Sequence, residues 1–155
     1  MLRRNRMLVR SKDGSWELRL DQDHRALLAS LADQLDEIVA EDPDNPGLAR
    51  LFPVAYPDDI AHEAEWQVFK AGELRSGLQE HLAVLRSVAT TPSLRDDEVT
   101  SWLRAINALR LVLGTRLDVS EDEVAIDADD PDAPSYALYE FLGYLLDRTV
   151  SDLSR

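Results

Sequence analysis

Apolar residues spaced three and four positions apart are the feature that most constrains this chain, because each such run must bury one helical face. The first run predicts a helix over residues 22–41, with Asp21 as its N-cap and Pro43 just beyond its end. Its apolar face consists of Leu27, Leu28, Leu31, Leu35 and Ile38. Such a face is stable only against other apolar faces, so the chain should fold as packed helices around a shared core.

Two further segments continue this periodicity. A helix is expected over residues 59–89, bent at Gly72 and capped by Asp58 or Asp59, and another over residues 96–116. The sequence between them, TTPS at residues 90–93, is expected as a break. The face of the first of these helices that should be buried contains Ile60, Ala64, Ala71, Leu74, Leu78, Leu82 and Leu85.

The last segment, residues 135–153, predicts a helix that is apolar on two faces. One face contains Leu138, Phe141, Leu142 and Leu145, and the other contains Tyr136, Tyr139, Gly143 and Val150. A helix of this kind lies at the centre of its bundle or packs against a second surface. The sequence leaves both alternatives open, and a homodimer is one form that the second would take.

The N-terminal residues have a different pattern. Two β-prone runs flank Asp13-Gly14 within residues 6–20, which predicts a β-hairpin that must pack on the helices to be stable. Residues 48–59 are apolar and rich in proline, and we expect a loop pressed onto the core. A chain of 155 residues suits one domain. We therefore predict a mainly α fold in a single domain: a β-hairpin at residues 1–20 and a helical bundle over residues 21–155 with an acidic loop at 118–134.

Composition excludes several classes of function. The chain has no cysteine, so disulfides, thiol nucleophiles and thiolate metal sites are absent from it. No apolar run is long enough for a membrane span, and the basic N-terminal residues lack the apolar stretch of a signal peptide, so a cytoplasmic protein is expected. The net charge is −13, and residues 21–155 alone carry −17. Because this charge repels phosphate backbones, direct binding of nucleic acid by this part of the chain is not expected.

Cations inside the apolar helix at residues 102–117 are the first candidate site. The helical wheel places Arg110 and Arg116 at the two edges of the buried arc, and it places Asn107 away from that arc. A buried guanidinium needs a carboxylate or several carbonyls, and the best candidates are four carboxylates at the start of the second helix: Asp58, Asp59, Glu63 and Glu65. We expect a structural ion pair that fastens residues 51–59 to the helix. The alternative is an anion site formed by the two arginines and Asn107.

The remaining groups of polar residues are weaker candidates for a functional site. Asp58, His62 and Glu65 share one helical face at a spacing that can hold a divalent metal, but no second pair of ligands is visible. His24 and His81 read as ordinary surface or boundary residues. No phosphate loop, dinucleotide fingerprint or nucleophile elbow is present. We therefore expect no catalytic residues, no cofactor and no enzymatic activity, with a small metal-binding protein as an alternative.

Two features suggest contact with a protein partner. Trp66 and Phe69 lie off the leucine face of their helix, which is typical of a helix buried on two sides or of a binding patch. Residues 118–132 contain eight acidic side chains and no basic one. This run lacks the glycine and glutamate of a calcium loop, so it reads as a solvated loop or as a docking surface for a basic partner, with Asp127, Asp129 and Asp130 as contact candidates.

Four stretches together resemble a known family. LFPVAYPDD, EAEW, WLRAINALRLVLGTRLDVSEDE and YALYEFLGYLL are similar, in order and spacing, to the actinobacterial domain-of-unknown-function family with catalogue number 2017. The resemblance implies a small cytoplasmic protein, typically encoded beside the Clp adaptor ClpS. Some members are labelled oxidative-stress transcription regulators that act with RNA polymerase through a sigma factor and sense redox state through a cysteine pair. That redox switch does not carry over, because this chain has no cysteine.

These observations lead to one expected function. We expect a non-enzymatic, protein-binding regulator of transcription or stress responses, which acts through RNA polymerase or a sigma factor. The alternative implied by the resemblance is an accessory factor of Clp proteolysis.

Overall fold

The computed structural model describes residues 5–51, 58–66, 70, 72–117 and 129–154. The predicted mainly α fold with an N-terminal hairpin is confirmed. The elements in chain order are β1 (Leu8–Arg10), β2 (Trp16–Leu18), α1 (Gln22–Glu41), a 3₁₀ turn (Pro46–Leu48), α2 (Ile60–Trp66), α3 (Gly72–Ser87), β3 (Ser93–Leu94), α4 (Asp96–Leu117) and α5 (Ala133–Leu153). None of the described helices is long and apolar enough to cross a membrane.

α1 begins where its capping residue predicts. The Asp21 carboxylate accepts a hydrogen bond from the backbone N–H of His24 at 2.9 Å, which satisfies a donor that the first turn leaves open. α1 packs along α3, and Arg86 of α3 fixes this contact by binding Asp33 at 2.8 Å and also Asp36. The start of α1 is held near the end of α3 because Arg25 donates to the carbonyl of Val88 at 2.8 Å.

α4 is the helix around which the other elements are arranged. It contacts α1, α3, α5, the 3₁₀ turn and β3. Trp102, Ala105 and Ile106 of α4 are fully buried, and the core also includes Leu28 of α1 and Leu82 of α3. Since burial of one large apolar side chain contributes about 1.5–3 kcal/mol, this shared core is the main source of stability.

The sheet has three antiparallel strands in the order β1-β2-β3. The turn between β1 and β2 places Gly14 at φ +90°, a conformation that a residue with a side chain rarely adopts. Leu8 pairs with Leu18 across the hairpin, and both side chains are buried. β3 was not expected, because residues 90–93 read as a break. The structure instead pairs Ser93–Leu94 with β2, and Leu94 is fully buried.

Buried polar groups near the C-terminal end of α5 join the two ends of the chain. The Asp152 carboxylate, only 2% exposed, accepts hydrogen bonds from the backbone N–H groups of Met7 at 2.8 Å and Leu8 at 3.1 Å. One turn earlier, the Thr149 hydroxyl accepts a bond from the indole N–H of Trp102 at 3.0 Å and donates to the carbonyl of Leu145 at 2.7 Å. α5 is therefore joined to β1 and to α4 by paired buried polar groups.

Two expectations concern how the helices are arranged: the long helix over residues 59–89 and the place of α5. The first is seen as α2 and α3, and residues 67–69 and 71 between them lie outside the described residues. Of its predicted apolar face, Leu78, Leu82 and Leu85 are buried, whereas Ile60 and Leu74 are exposed. α5 does not lie at the centre of the bundle. It packs on α4 and β1, and its outer face exposes Tyr144 and Val150.

Removing the Asp152 carboxylate tests the junction between the chain ends. Asp152→Ala should lower the free energy of unfolding by about 3 kcal/mol, because two buried N–H donors lose a charged acceptor. Urea denaturation measures the change. The control is Asp147→Ala on the exposed side of the same helix, which should change stability by less than about 0.5 kcal/mol. Equal effects of the two variants would contradict the role assigned to Asp152.

Candidate functional site

Arg110 packs against an aromatic ring of α5. Its guanidinium carbon lies 4.6 Å from the centroid of the Tyr139 ring, close enough for a cation–π interaction. The Arg110 side chain is half-buried, and its buried Nε atom has no hydrogen-bond partner among the described residues. A Cβ atom at Gly143 would stand 3.3 Å from that Nε, so a glycine at this position leaves room for the arginine.

The ion pair expected for Arg110 stays a prediction, because this contact with Tyr139 does not test it. The expected partners were Asp58, Asp59, Glu63 and Glu65, whereas the contact seen for Arg110 in the described part of the chain is with Tyr139. Asp59 is instead used within its own turn, where it accepts from the backbone N–H of His62 at 3.2 Å and from the imidazole Nδ1 at 2.6 Å. Most of the 51–59 loop, residues 52–57, lies outside the described residues, so fastening of that loop stays a prediction.

Arg116 is exposed at the last turn of α4 and packs on the 3₁₀ turn through its aliphatic stem. A Cβ atom at Gly47 would stand 3.4 Å from Arg116 Cγ, so the stem lies directly on that glycine. Asn107 is exposed on α4, and the structure does not bring it into contact with Arg116 among the described residues. The alternative of an anion site formed by Arg110, Arg116 and Asn107 stays a prediction.

Arg50 is a further cation in this region that the sequence did not single out. Its Nη1 atom lies 3.5 Å from the position that a Cβ of Gly114 would occupy, and Tyr139 Cε2 lies 3.0 Å from the same position. Arg50 and Arg110 thus both approach Tyr139. No sequence signal pointed to Arg50, because it follows a proline-rich turn whose path the helical periodicity does not define.

The predicted metal ligands do not form a metal centre. Asp58 and Glu65 are exposed, and His62 is bonded to Asp59. The backbone and imidazole N–H groups of His62 lower the pKa of the Asp59 carboxyl below its usual value, as expected for an N-cap. Across the described ranges, no cluster of three or more His, Asp or Glu side chains is placed to hold a metal ion.

α2 carries the described part of the expected partner-contact patch. This two-turn helix has no buried residue, Ile60 is 89% exposed, and Trp66 is half-buried. Phe69 and Asp127 lie outside the described residues. Asp129 and Asp130 are exposed just before α5, where the Asp130 carboxylate accepts a hydrogen bond from the backbone N–H of Asp132 at 2.8 Å.

A pocket that was not predicted lies between α1, α4 and α5. Its volume is about 70 Å³, and it is open to solvent on one side. The lining is aliphatic apart from Gln34 and Arg116: Leu31, Leu35, Ile38, Leu109, Val112, Leu113, Leu138 and Leu142. The sequence identified these side chains only as core residues, because periodicity shows which face is apolar but not whether neighbouring helices close over it.

His81 lies between α3 and α4, with its Nδ1 atom 3.0 Å from the Ser101 hydroxyl oxygen. Burial lowers the pKa of the imidazole below its usual value, and the nearby Arg104 charge lowers it further, while Glu80 acts in the opposite direction. His81 is therefore a boundary residue that favours the neutral form.

A double-mutant cycle tests the contact between Arg110 and the Tyr139 ring. Arg110→Met and Tyr139→Leu should show a coupling of about 1 kcal/mol in the free energy of unfolding, as expected for a partly buried cation–π pair. Chemical denaturation of the four proteins measures it. A coupling near zero would show that the contact between Arg110 and Tyr139 does not stabilise the fold. A loss of about 4 kcal/mol for Arg110→Met, with no dependence on Tyr139, would instead indicate an ion pair broken by the substitution.

The pH dependence of stability tests the environment of His81. The unfolded chain binds a proton near its unperturbed pKa of about 6.5, while the folded imidazole stays neutral to lower pH. Stability should therefore fall as the pH drops through about 6.5 and level off below the folded pKa. His81→Gln should reduce this fall when unfolding is measured from about pH 7.5 to 5.5. An unchanged pH profile in the variant would contradict the lowered pKa.

Comparison with known proteins places this sequence in a family. The sequence profile of DUF2017, a domain of unknown function, matches residues 4–153. Two curated relatives, from Mycobacterium bovis and from Mycobacterium tuberculosis strain H37Rv, are each named oxidative stress regulator AosR. Each is 25% identical to this chain over 146 residues, and the match spans 79% of this chain and 67% of the relative. No solved structure matches the chain.

Proposed function

This chain belongs to the DUF2017 family, and we propose that it is a non-enzymatic regulatory protein that acts by binding another protein. The name of its mycobacterial relatives, oxidative stress regulator, supports a regulatory role. Because this chain contains no cysteine, its regulation would not use a thiol switch within these residues.

The observation that carries the proposal is the exposure of α2. A helix normally buries an apolar face against its own chain, yet Ile60–Trp66 has no buried residue and presents Ile60 almost fully to solvent. An exposed aliphatic residue on the same short helix as a half-buried tryptophan is the composition typical of a binding patch. The proposed contact face therefore consists of Ile60 and Trp66.

The charge of the chain favours a basic partner. With a net charge of −13, it attracts positively charged protein surfaces and repels nucleic acid. Asp129 and Asp130 are exposed carboxylates just before α5 and extend the acidic surface. We infer that the partner is a basic surface of RNA polymerase or of a sigma factor, which the chain would reach without contacting the promoter DNA itself.

Binding to purified actinobacterial RNA polymerase, with and without its sigma factors, tests this function. The association rate should fall steeply as salt is raised, because opposite charges steer the encounter. Surface plasmon resonance at low and at high salt measures that rate. Absence of binding to polymerase and sigma factors, or an association rate independent of salt, would contradict the proposal.

A substitution on α2 tests the proposed contact face. Ile60→Asp should weaken binding by about tenfold or more, because it places a charge in the apolar part of the contact. Val150→Asp is the matched control, since Val150 is an exposed aliphatic residue on a different helix, α5. Both variants should keep the helical circular dichroism of the parent. Equal loss of binding in the two variants would rule out α2 as the contact.

A further inference from the structure

We propose that the pocket between α1, α4 and α5 docks a helical segment of a protein partner in which an aliphatic side chain lies within one turn of a carboxylate. This inference rests on the proposed protein-binding function, and it adds a second contact surface with defined chemistry. The aliphatic side chain would enter the pocket, and the carboxylate would bind Arg116 at its edge.

The size of the pocket suits a single side chain. Its volume of about 70 Å³ is about half that of a cavity of about 150 Å³ that holds benzene, so it suits one branched aliphatic side chain. The lining comes from three helices: Leu31 belongs to α1, Leu109 and Val112 belong to α4, and Leu138 belongs to α5. Two helices flanking a third is the geometry in which an amphipathic helix lays its apolar face into a groove.

The positive charge of Arg116 at the edge of the pocket favours a partner that carries a carboxylate. Arg116 is the one cation among the described residues that line the pocket, and those residues include no aspartate or glutamate. The whole chain has 30 acidic and 17 basic residues, yet the charged residue in the described lining of this pocket is a cation. Arg10, Arg86 and Arg95 form ion pairs, whereas Arg116 has no ion-pair partner in the part of the chain that the structure describes.

The stem of the Arg116 side chain packs on the 3₁₀ turn, although the side chain as a whole is exposed. Its Cγ lies against Gly47, at 3.4 Å from the place that a Cβ there would occupy. The backbone at Gly47 is itself fixed, because its N–H donates to the Asn45 side chain at 2.8 Å. A side chain packed along its stem loses less freedom on binding, so the guanidinium is prepared to accept a carboxylate.

A designed peptide tests the docking site directly. The probe is a capped, alanine-based helix of about 16 residues with one leucine and a glutamate four positions before and after it. Methyl NMR of the full chain should show shifts at Leu113 and Leu138 on addition of this peptide. A matched peptide with both glutamates changed to lysine should bind at least about tenfold more weakly, and one with leucine changed to alanine should produce no shifts.

Variants of the protein separate the cation from the pocket. Arg116→Gln should abolish the preference for glutamate over lysine, while Arg104→Gln, on the same helix outside the pocket, should retain it. Gly47→Ala should weaken binding of the glutamate peptide, because its Cβ would approach Asn45 Oδ1 to 3.0 Å and disturb the turn on which the Arg116 stem packs.

Three results would overturn the inference: no methyl shifts with the glutamate peptide, equal affinity for the glutamate and lysine peptides, or equal affinity for hexanoate and the peptide. The last would assign the pocket to a free small acid. These measurements use no polymerase, so they are independent of the proposed function. If the peptide binds and polymerase does not, the proposed function is wrong and the docking site stands. If polymerase binds and the peptide does not, only the docking site is wrong.

Discussion

The hydrogen bond from Trp102 to Thr149 and the bonds from the N-terminal strand to Asp152 are the interactions on which the rest of this structure depends. Trp102 is fully buried in α4, and its indole N–H would be left without a partner if α5 were displaced. In the same way, the backbone N–H groups of Met7 and Leu8 would lose their acceptor if β1 moved away from Asp152. Apolar packing is tolerant of small shifts, whereas these buried donors require one register between α4, α5 and the sheet.

That fixed register determines which surfaces remain for other molecules. α1, α3, α4 and α5 bury their apolar faces against one another, and α2 is left with no buried residue. The same packing holds α1 and α5 on either side of α4 without closing the space between them, which forms the pocket beside Arg116. The two proposed contact surfaces are therefore consequences of the fold, one from a helix outside the core and one from a gap within it.

Patterns that depend on local chemistry could be predicted from the sequence, and those that depend on tertiary contact could not. The bounds of α1 follow from Asp21 and Pro43, and the hairpin follows from Asp13-Gly14. β3 has only two residues and gains its structure from β2, so no periodicity marks it. The contact of Arg110 with the Tyr139 ring could not be predicted either, because it depends on how α5 packs against α4. Thr149 and Asp152 continue the face of Leu145 at helical spacing, and that alignment was the available sign of buried polar groups.

We expect the helical core to present α2 to a protein partner. Hydrogen exchange of the full chain, free and bound to RNA polymerase holoenzyme, tests this expectation. The account predicts that amides of Ile60–Trp66 exchange rapidly in the free chain and become protected in the complex, while α4 and the end of α5 stay protected in both states. Slow exchange of α2 in the free chain, or protection in the complex that excludes α2, would contradict it.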